Sequence, residues 1–381
     1  MRAALAILTL ILLLTGCWDM KEAQDINFVT ALGVDYVNGR YVIYAQLLDF
    51  AEIAKQEGKV ETGSAKIWIG KGEGKTVTDA MNSVYPASQQ MTLWTHVRAI
   101  VFSKALLDNR LPEAINGLIR SRDLRYTPWV YGTDKEIPII FSSISLLNES
   151  ALNSELLDPE EIFKQYSFME PLRIIKLMNG VKEPATTTLL PLISYTDKVW
   201  KGNGEPVPQV KLAGAYAIAQ GSNRGRVDPI MLQGARYVSF KRFDKFPLTL
   251  MLDDETAVAL SIIHSDPKVR FDARGTPPSV QIQVRVKTYI TEAGSADEAN
   301  AEKIRMLAKK QIEAEIRRSF TAAKAHNIDL FNLEEKLYRN DLARWKQLHS
   351  QGKPFISLVD FGEVNVQVEI SHASSYKVQN H

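Results

Sequence analysis

Between Val280 and Ile290, Val280, Ile282, Val284, Val286, Thr288 and Ile290 alternate with Gln281, Gln283, Arg285 and Lys287. A period of two over that length predicts a β-strand with one face in a core and the other in water. The pattern returns near the end of the chain, with Val364, Val366, Val368 and Ile370 set against Asn365, Gln367 and Glu369. Between the two strands the period changes. Ile304, Leu307, Ala308, Gln311, Ile312, Glu315, Ile316 and Phe320 recur at helical spacing among many Lys, Glu and Arg. They predict a helix of about twenty-five residues, opened by a capping box in which Ser295 precedes Glu298 by three. Polar Gln311 and Glu315 interrupt the stripe, and it does not last for enough heptads to make a coiled coil, so the helix is expected to pack on its own sheet. The tail from Ser371 is polar, with nothing to hold it in a core.

The same mixture of periods runs through the rest of the chain. Phe28–Val34 and Tyr41–Leu47 are β-rich and flank Asn38-Gly39, the signal for a hairpin closed by a type I′ turn. Helices are expected around Val77, Ala80, Met81 and Val84, and around Ala114, Ile115, Leu118 and Ile119 behind Pro112, with a short strand from Val97 to Phe102 between them. Asp158-Pro159-Glu160-Glu161 reads as a cap, a first helical Pro and a returning Glu, and Leu172–Met178 as a helix stopped at Asn179-Gly180. Residues 201–208 concentrate Gly and Pro without periodicity, and Arg274-Gly275-Thr276-Pro277-Pro278 is a second break. Between them, Leu212–Ala219 is an expected strand, Gly221–Arg226 a loop, and Asp253-Asp254-Glu255 the acidic start of a helix toward Ile263. The chain has 381 residues, whereas one core rarely organises more than roughly 250 to 300. The expected division is a leader over 1–16, an N-terminal α/β domain over 17–205, a small middle domain over 206–274 and a C-terminal domain over 275–381.

The leader has its own logic. Behind Met1 and Arg2, Ala3 to Leu14 are apolar except for Thr9, about 18 Å of helix against a hydrocarbon core of ~30 Å, so the segment has signal-peptide length. Leu14-Thr15-Gly16-Cys17 follows, in the pattern of a bacterial lipobox, and Cys17 is the only cysteine. Acylation there would place at least two fatty chains on the mature N-terminus, enough for a stable anchor where one chain is marginal. No later segment approaches eighteen consecutive apolar residues. The expected product is a lipoprotein tethered outside the cell membrane. Removing residues 1–16 takes away Arg2 and leaves 45 basic against 44 acidic side chains, so attachment would rest on the lipid and not on bulk charge.

Signatures of chemistry are mostly missing. A near-neutral balance does not suggest a surface built to bind nucleic acid, and one cysteine excludes disulfide frameworks and Cys-pair zinc motifs. Ile69-Gly70-Lys71-Gly72-Glu73-Gly74-Lys75-Thr76 approaches a phosphate loop, but Ile69 stands where the first glycine is needed, and the stretch reads as a mobile loop entering a helix. The six histidines show no paired metal spacing; His96, beside Trp94, is read as structural and hydrogen-bonded. No G-x-S-x-G elbow or calcium-loop rhythm appears, so no catalytic residue, metal or cofactor is assigned. The densest basic cluster is Arg120, Arg122 and Arg125. It is read either as internally paired with Asp123 and nearby acids or as a contact for anionic lipid or a partner's carboxylates.

Cys17-Trp18-Asp19, then Val29-Thr30-Ala31-Leu32-Gly33-Val34-Asp35, resemble the C-subunit lipoproteins of bacterial spore germinant receptors, the Ger(x)C family. The likeness continues through Trp94–Phe102, Arg122-Asp123-Leu124-Arg125, Asp329-Leu330-Phe331, Leu337, Trp345 and Val364–Ile370. Thr95 departs from the family's usual Gly before His, and Asp254-Glu255-Thr256-Ala257 from its usual middle motif. The resemblance implies an α+β fold of three mixed α/β domains in series, with antiparallel and mixed sheets and flanking helices. It also implies a non-enzymatic receptor subunit on the outer face of the spore inner membrane. Its partners would be two integral-membrane subunits, one of them transporter-like, and only the lipidated cysteine carries over, onto Cys17. The alternative is a solute-binding lipoprotein of a transport system, in which Trp and Tyr would line a cleft between domains.

Overall fold

The computed structural model describes residues 26–48, 66–143, 151–253, 256–272, 275, 277–292 and 301–371. Cys17, the capping box at Ser295 and Glu298, Asp254-Glu255 and the tail beyond Ser371 therefore lie outside the described residues.

Strand β1 (Ile26–Val37) turns through Asn38 and Gly39, at φ 51° and 78°, into β2 (Arg40–Leu48). Both turn residues take the positive φ that a type I′ turn demands, so the Asn-Gly signal is realised. β3 (Ile67–Gly74) follows, then α1 (Val77–Asn82), capped by Thr76, whose hydroxyl accepts the Asp79 amide at 3.0 Å. β4 (Met91–Leu93) and β5 (Ala99–Ser103) lead into α2 (Lys104–Asn109) and α3 (Leu111–Arg120). Next come β6 (Trp129–Thr133), α4 (Ile137–Phe141), α5 (Glu160–Gln165) and α6 (Ile174–Lys182). β7 (Thr187–Thr196), a small hairpin of β8 (Lys201–Gly202) and β9 (Glu205–Pro206), β10 (Gln209–Ala219) and β11 (Ser222–Val227) complete this part.

These strands form one mixed sheet in the order β11-β10-β7-β6-β5-β1-β2-β3, with β4 beside the start of β1. β1, β5, β6 and β7 run parallel, and both flanks are antiparallel. Helices α1, α2, α3 and α6 bury Val77, Leu107, Ile115 and Leu177 on one face, and α4 buries Ile137, Ile140 and Phe141 on the other. Covering on both faces suits β5 and β6, every residue of which is buried.

The second part starts with α7 (Pro229–Ser239) and a sheet of β12 (Phe246–Met251), β13 (Ala257–Asp272), β14 (Ser279–Glu292) and β15 (Asp360–Ser371), in that order. Helix α8 (Ala301–Ala325) makes the crossover between the parallel β14 and β15; α9 (Leu333–Asn340) and α10 (Leu342–His349) follow it. Val280, Ile282, Val284 and Val286 point into the same core as Ile304, Ala308, Ile312, Ile316 and Phe320, so the alternation and the helical stripe find each other as expected. Residues 206–274 contribute β10 and β11 to the first sheet and α7, β12 and β13 to the second.

Several local expectations give way. Asp253 does not open a helix: its carboxylate accepts the Thr256 amide at 2.7 Å, and Val258, Leu260 and Ile262 alternate inward along β13. Gly180 does not end α6, which runs on to Lys182. A Cβ there would overlap the Thr188 hydroxyl, so the glycine serves close packing of helix on strand. Residues 222–226 are strand, with Gly225 at φ 132°, and 201–206 form the hairpin β8–β9 around Asn203-Gly204. Pro159, not Asp158, occupies the cap of α5, and Asp158 faces Arg98 at 3.5 Å.

Candidate functional site

The glycine-rich stretch is not a loop. Lys71 to Gly74 belong to β3, and Cβ atoms at Gly72 or Gly74 would collide with the backbone of Ala80 in α1. The glycines let α1 lie flat on its strand, a packing role that leaves no backbone cradle for phosphate. His96 is exposed, edge-on to Phe28 at 4.6 Å and 3.1 Å from the Thr95 hydroxyl. Among the described residues no group of three or more His, Cys, Asp and Glu could hold a metal ion, and no helix is long and apolar enough to cross a membrane.

The basic cluster occupies the connection between α3 and β6. α3 ends at Arg120 because Ser121 turns extended, and buried Leu124 pins the loop to the core. Arg120, Arg122 and Arg125 all point to solvent, and among the described residues none of the three forms an ion pair, with Asp123 or otherwise. A fourth arginine holds the end of the loop. The Arg173 guanidinium lies 3.6 Å from the Trp129 ring centroid and donates to the Thr127 carbonyl at 2.5 Å. The cluster is thus an exposed basic patch without ion pairs among the described residues.

Where the two sheets meet, Asn332 stands in the left-handed region at φ 49° and its side-chain oxygen accepts the Thr187 amide at 2.7 Å. A cleft opens on each side of this bridge. One, of about 580 Å³, is bordered by Glu170, Lys176, Lys241 and Arg339. The other, of about 570 Å³, is bordered by Arg224, His326, Asp329, Glu334 and His349. In the second cleft Glu334 accepts the Trp345 indole N–H at 3.0 Å and lies 3.5 Å from His349 Nδ1, while His349 stacks on Trp345 at 4.6 Å. Asp329 Oδ2 accepts the Glu334 amide at 2.8 Å, but Oδ1 is buried with no hydrogen-bond partner among the described residues. Burial pushes this carboxyl up to about 6, against the pull of the α9 amides. The same burial lowers Lys336, whose ammonium donates to the Phe331 carbonyl at 2.9 Å. Sequence inspection missed this cluster: Asp329, Asn332, Glu334 and His349 lack metal or catalytic spacing and acquire their environment only when α9 and α10 dock.

Comparison with known proteins covers nearly the whole described chain. A profile for the "Spore germination protein N-terminal domain" matches residues 19–195, and one for the "Spore germination B3/GerAC like, C-terminal" domain matches 214–374. The chain is 22% identical over 381 aligned positions to spore germination protein KC of Bacillus subtilis (strain 168), covering 91% of this chain and 90% of that protein. Spore germination protein B3 of the same organism is 25% identical over 170 positions, covering 43% and 44%. The crystal structure of the GerBC protein superposes with a TM-score of 0.53 at 15% identity, over 89% of this chain and 96% of that one; the likeness is one of fold.

Proposed function

The chain belongs to the Ger(x)C family of spore germination proteins, and from that membership we propose that it is the membrane-anchored C subunit of a spore germinant receptor, acting through protein contacts and not by catalysis. One observation carries the reading: both halves of the family match in order along one chain, and a germination protein aligns with it almost from end to end.

Association with the spore membrane follows from the family. The finer arrangement is our inference from the sequence. Cys17, behind Leu14-Thr15-Gly16, would carry the acyl chains that hold the protein on the extracytoplasmic face, since two chains bind a bilayer stably. Its partners there would be the integral-membrane receptor subunits, one transporter-like and one of a second kind.

The test is genetic. A strain lacking this gene and its paralogues should fail to germinate with nutrients, the wild-type gene should restore germination, and a Cys17→Ala copy should yield protein of unacylated mass that leaves the membrane fraction. Germination at the wild-type rate in the deletion strain would defeat the proposal. The clefts beside Asn332 have the volume of small-molecule sites, so nutrient-dependent shifts in thermal unfolding of the purified protein would instead favour a solute-binding role.

A further inference from the structure

Because β1, β5 and β6 run parallel, the segments that lead into them converge on one end of the first sheet. The chain reaches that end at Ile26, nine residues after Cys17, so the lipidated residue lies at most about 30 Å away. The loop bearing Arg122 and Arg125 enters β6 at the same end, and α3 delivers Arg120 to it. Met91 pairs with Ile26 there, and Trp68 pairs with Leu47, which faces Val29. From β3 to β6 is four strand spacings, about 19 Å. Basic and apolar groups therefore share one narrow end.

Its apolar side chains are unusually bare. Trp68 is 62% exposed, Met91 50% and Tyr126 50%. Between Trp68 and Gln90 runs a groove of about 680 Å³ floored by Ala45, Leu47 and Gly70. Into it faces Thr92, buried, its hydroxyl without a partner among the described residues. Nearby, the Tyr85 hydroxyl accepts the Trp94 indole N–H at 2.8 Å.

The geometry points to this end of the sheet as the face that rests on the bilayer, with Trp68, Met91 and Tyr126 in the interfacial layer and Arg120, Arg122 and Arg125 against anionic headgroups. Tryptophan and tyrosine partition to membrane interfaces because one part of the ring system is apolar and another donates hydrogen bonds. Arginines add attraction to an anionic leaflet that falls off within a Debye length, so they act only if held close to it. The chain's entry at Ile26, within about 30 Å of the anchor, brings them within reach of it. This orientation rests on acylation of Cys17.

The full-length acylated chain, reconstituted on vesicles of phosphatidylglycerol and phosphatidylcholine, tests it. An environment-sensitive fluorophore is placed through Met91→Cys or Tyr126→Cys, with Ile230→Cys as control; Ile230 is exposed just beyond the far end of β11. The labels at 91 and 126 should shift to the blue and be quenched by bromine-bearing lipid, while the label at 230 does neither. Neutralising the three arginines to Ser, or omitting phosphatidylglycerol, should lose most of that quenching. Labels at 91 and 126 that stay as wet as the control overturn the orientation, as does a shift that requires integral-membrane receptor subunits, which would make the face a protein interface. Failure of the anchor itself would show differently, as unacylated mass and a chain that does not float with vesicles.

Discussion

Single residues here owe their character to where the fold puts them. Asp329 sits in an ordinary Asp-Leu-Phe sequence, yet its carboxyl is buried and raised from 3.8 to about 6. Between those values the folded chain holds a proton that the unfolded chain has released. The resulting stabilisation is complete below about pH 4 and is lost as pH rises to about 6, by at most about 3 kcal/mol. Asp329→Asn keeps an oxygen for the α9 amides and cannot ionise, so denaturant titrations at pH 4.5 and pH 7 should show a smaller loss than in the wild type. Glu155, raised to about 7 by burial, adds a slope of the same sign, which makes the difference between the two proteins the informative quantity. An unchanged slope would mean that the Asp329 carboxyl titrates as if exposed. Asn332 makes a parallel case, since its positive φ and its bond to Thr187 are invisible in the sequence.

At the scale of elements, periodicity told most of the story and packing overruled the rest. The Asn-Gly hairpin, the helix behind Pro112, the 25-residue α8 and the alternating strands β14 and β15 were all legible, because each repeats a spacing that one face of a helix or strand requires. The misread segments turned on glycine and aspartate, whose local preferences serve several structures. Gly180, Gly72 and Gly74 look like stops or loop residues and prove to be places where another element comes close. The crossing of α7 and α8 depends on the same device. Gly234 donates its amide to the Ser319 hydroxyl at 2.8 Å, and a Cβ there would strike the backbone of Glu315 and Ile316. Beside it the Tyr237 hydroxyl donates to Glu315 at 3.2 Å, and the Arg236 guanidinium lies 3.4 Å from the Phe246 centroid. Gly234→Ala should force the helices apart and destabilise the protein by about 1–3 kcal/mol, read as a lower urea midpoint. A wild-type midpoint would show that the crossing has room to spare.

In the whole molecule the two sheets share a core. Met169, Ala185, Ala215, Ala217 and Val227 from the first part pack in one cluster with α7, α8 and the second sheet. Leu232, fully buried in α7 within that cluster, couples them. Leu232→Ala should cost about 2–5 kcal/mol, and the slowest-exchanging amides of β6 and β14 should lose protection by the same factor. If only β14 responds, the sheets open as independent units. Sequence alone determined what depends on near neighbours: strand and helix periods, a single cysteine at position 17, the near-neutral charge and the lack of a catalytic signature. Only the tertiary structure decided which strands pair, which buried carboxyl is left with an orphan oxygen, and that three arginines share one sheet end with Trp68 and Met91. Those features join residues far apart in the chain, and the pairing of distant segments depends on the competing packing of every face at once, which no local spacing records.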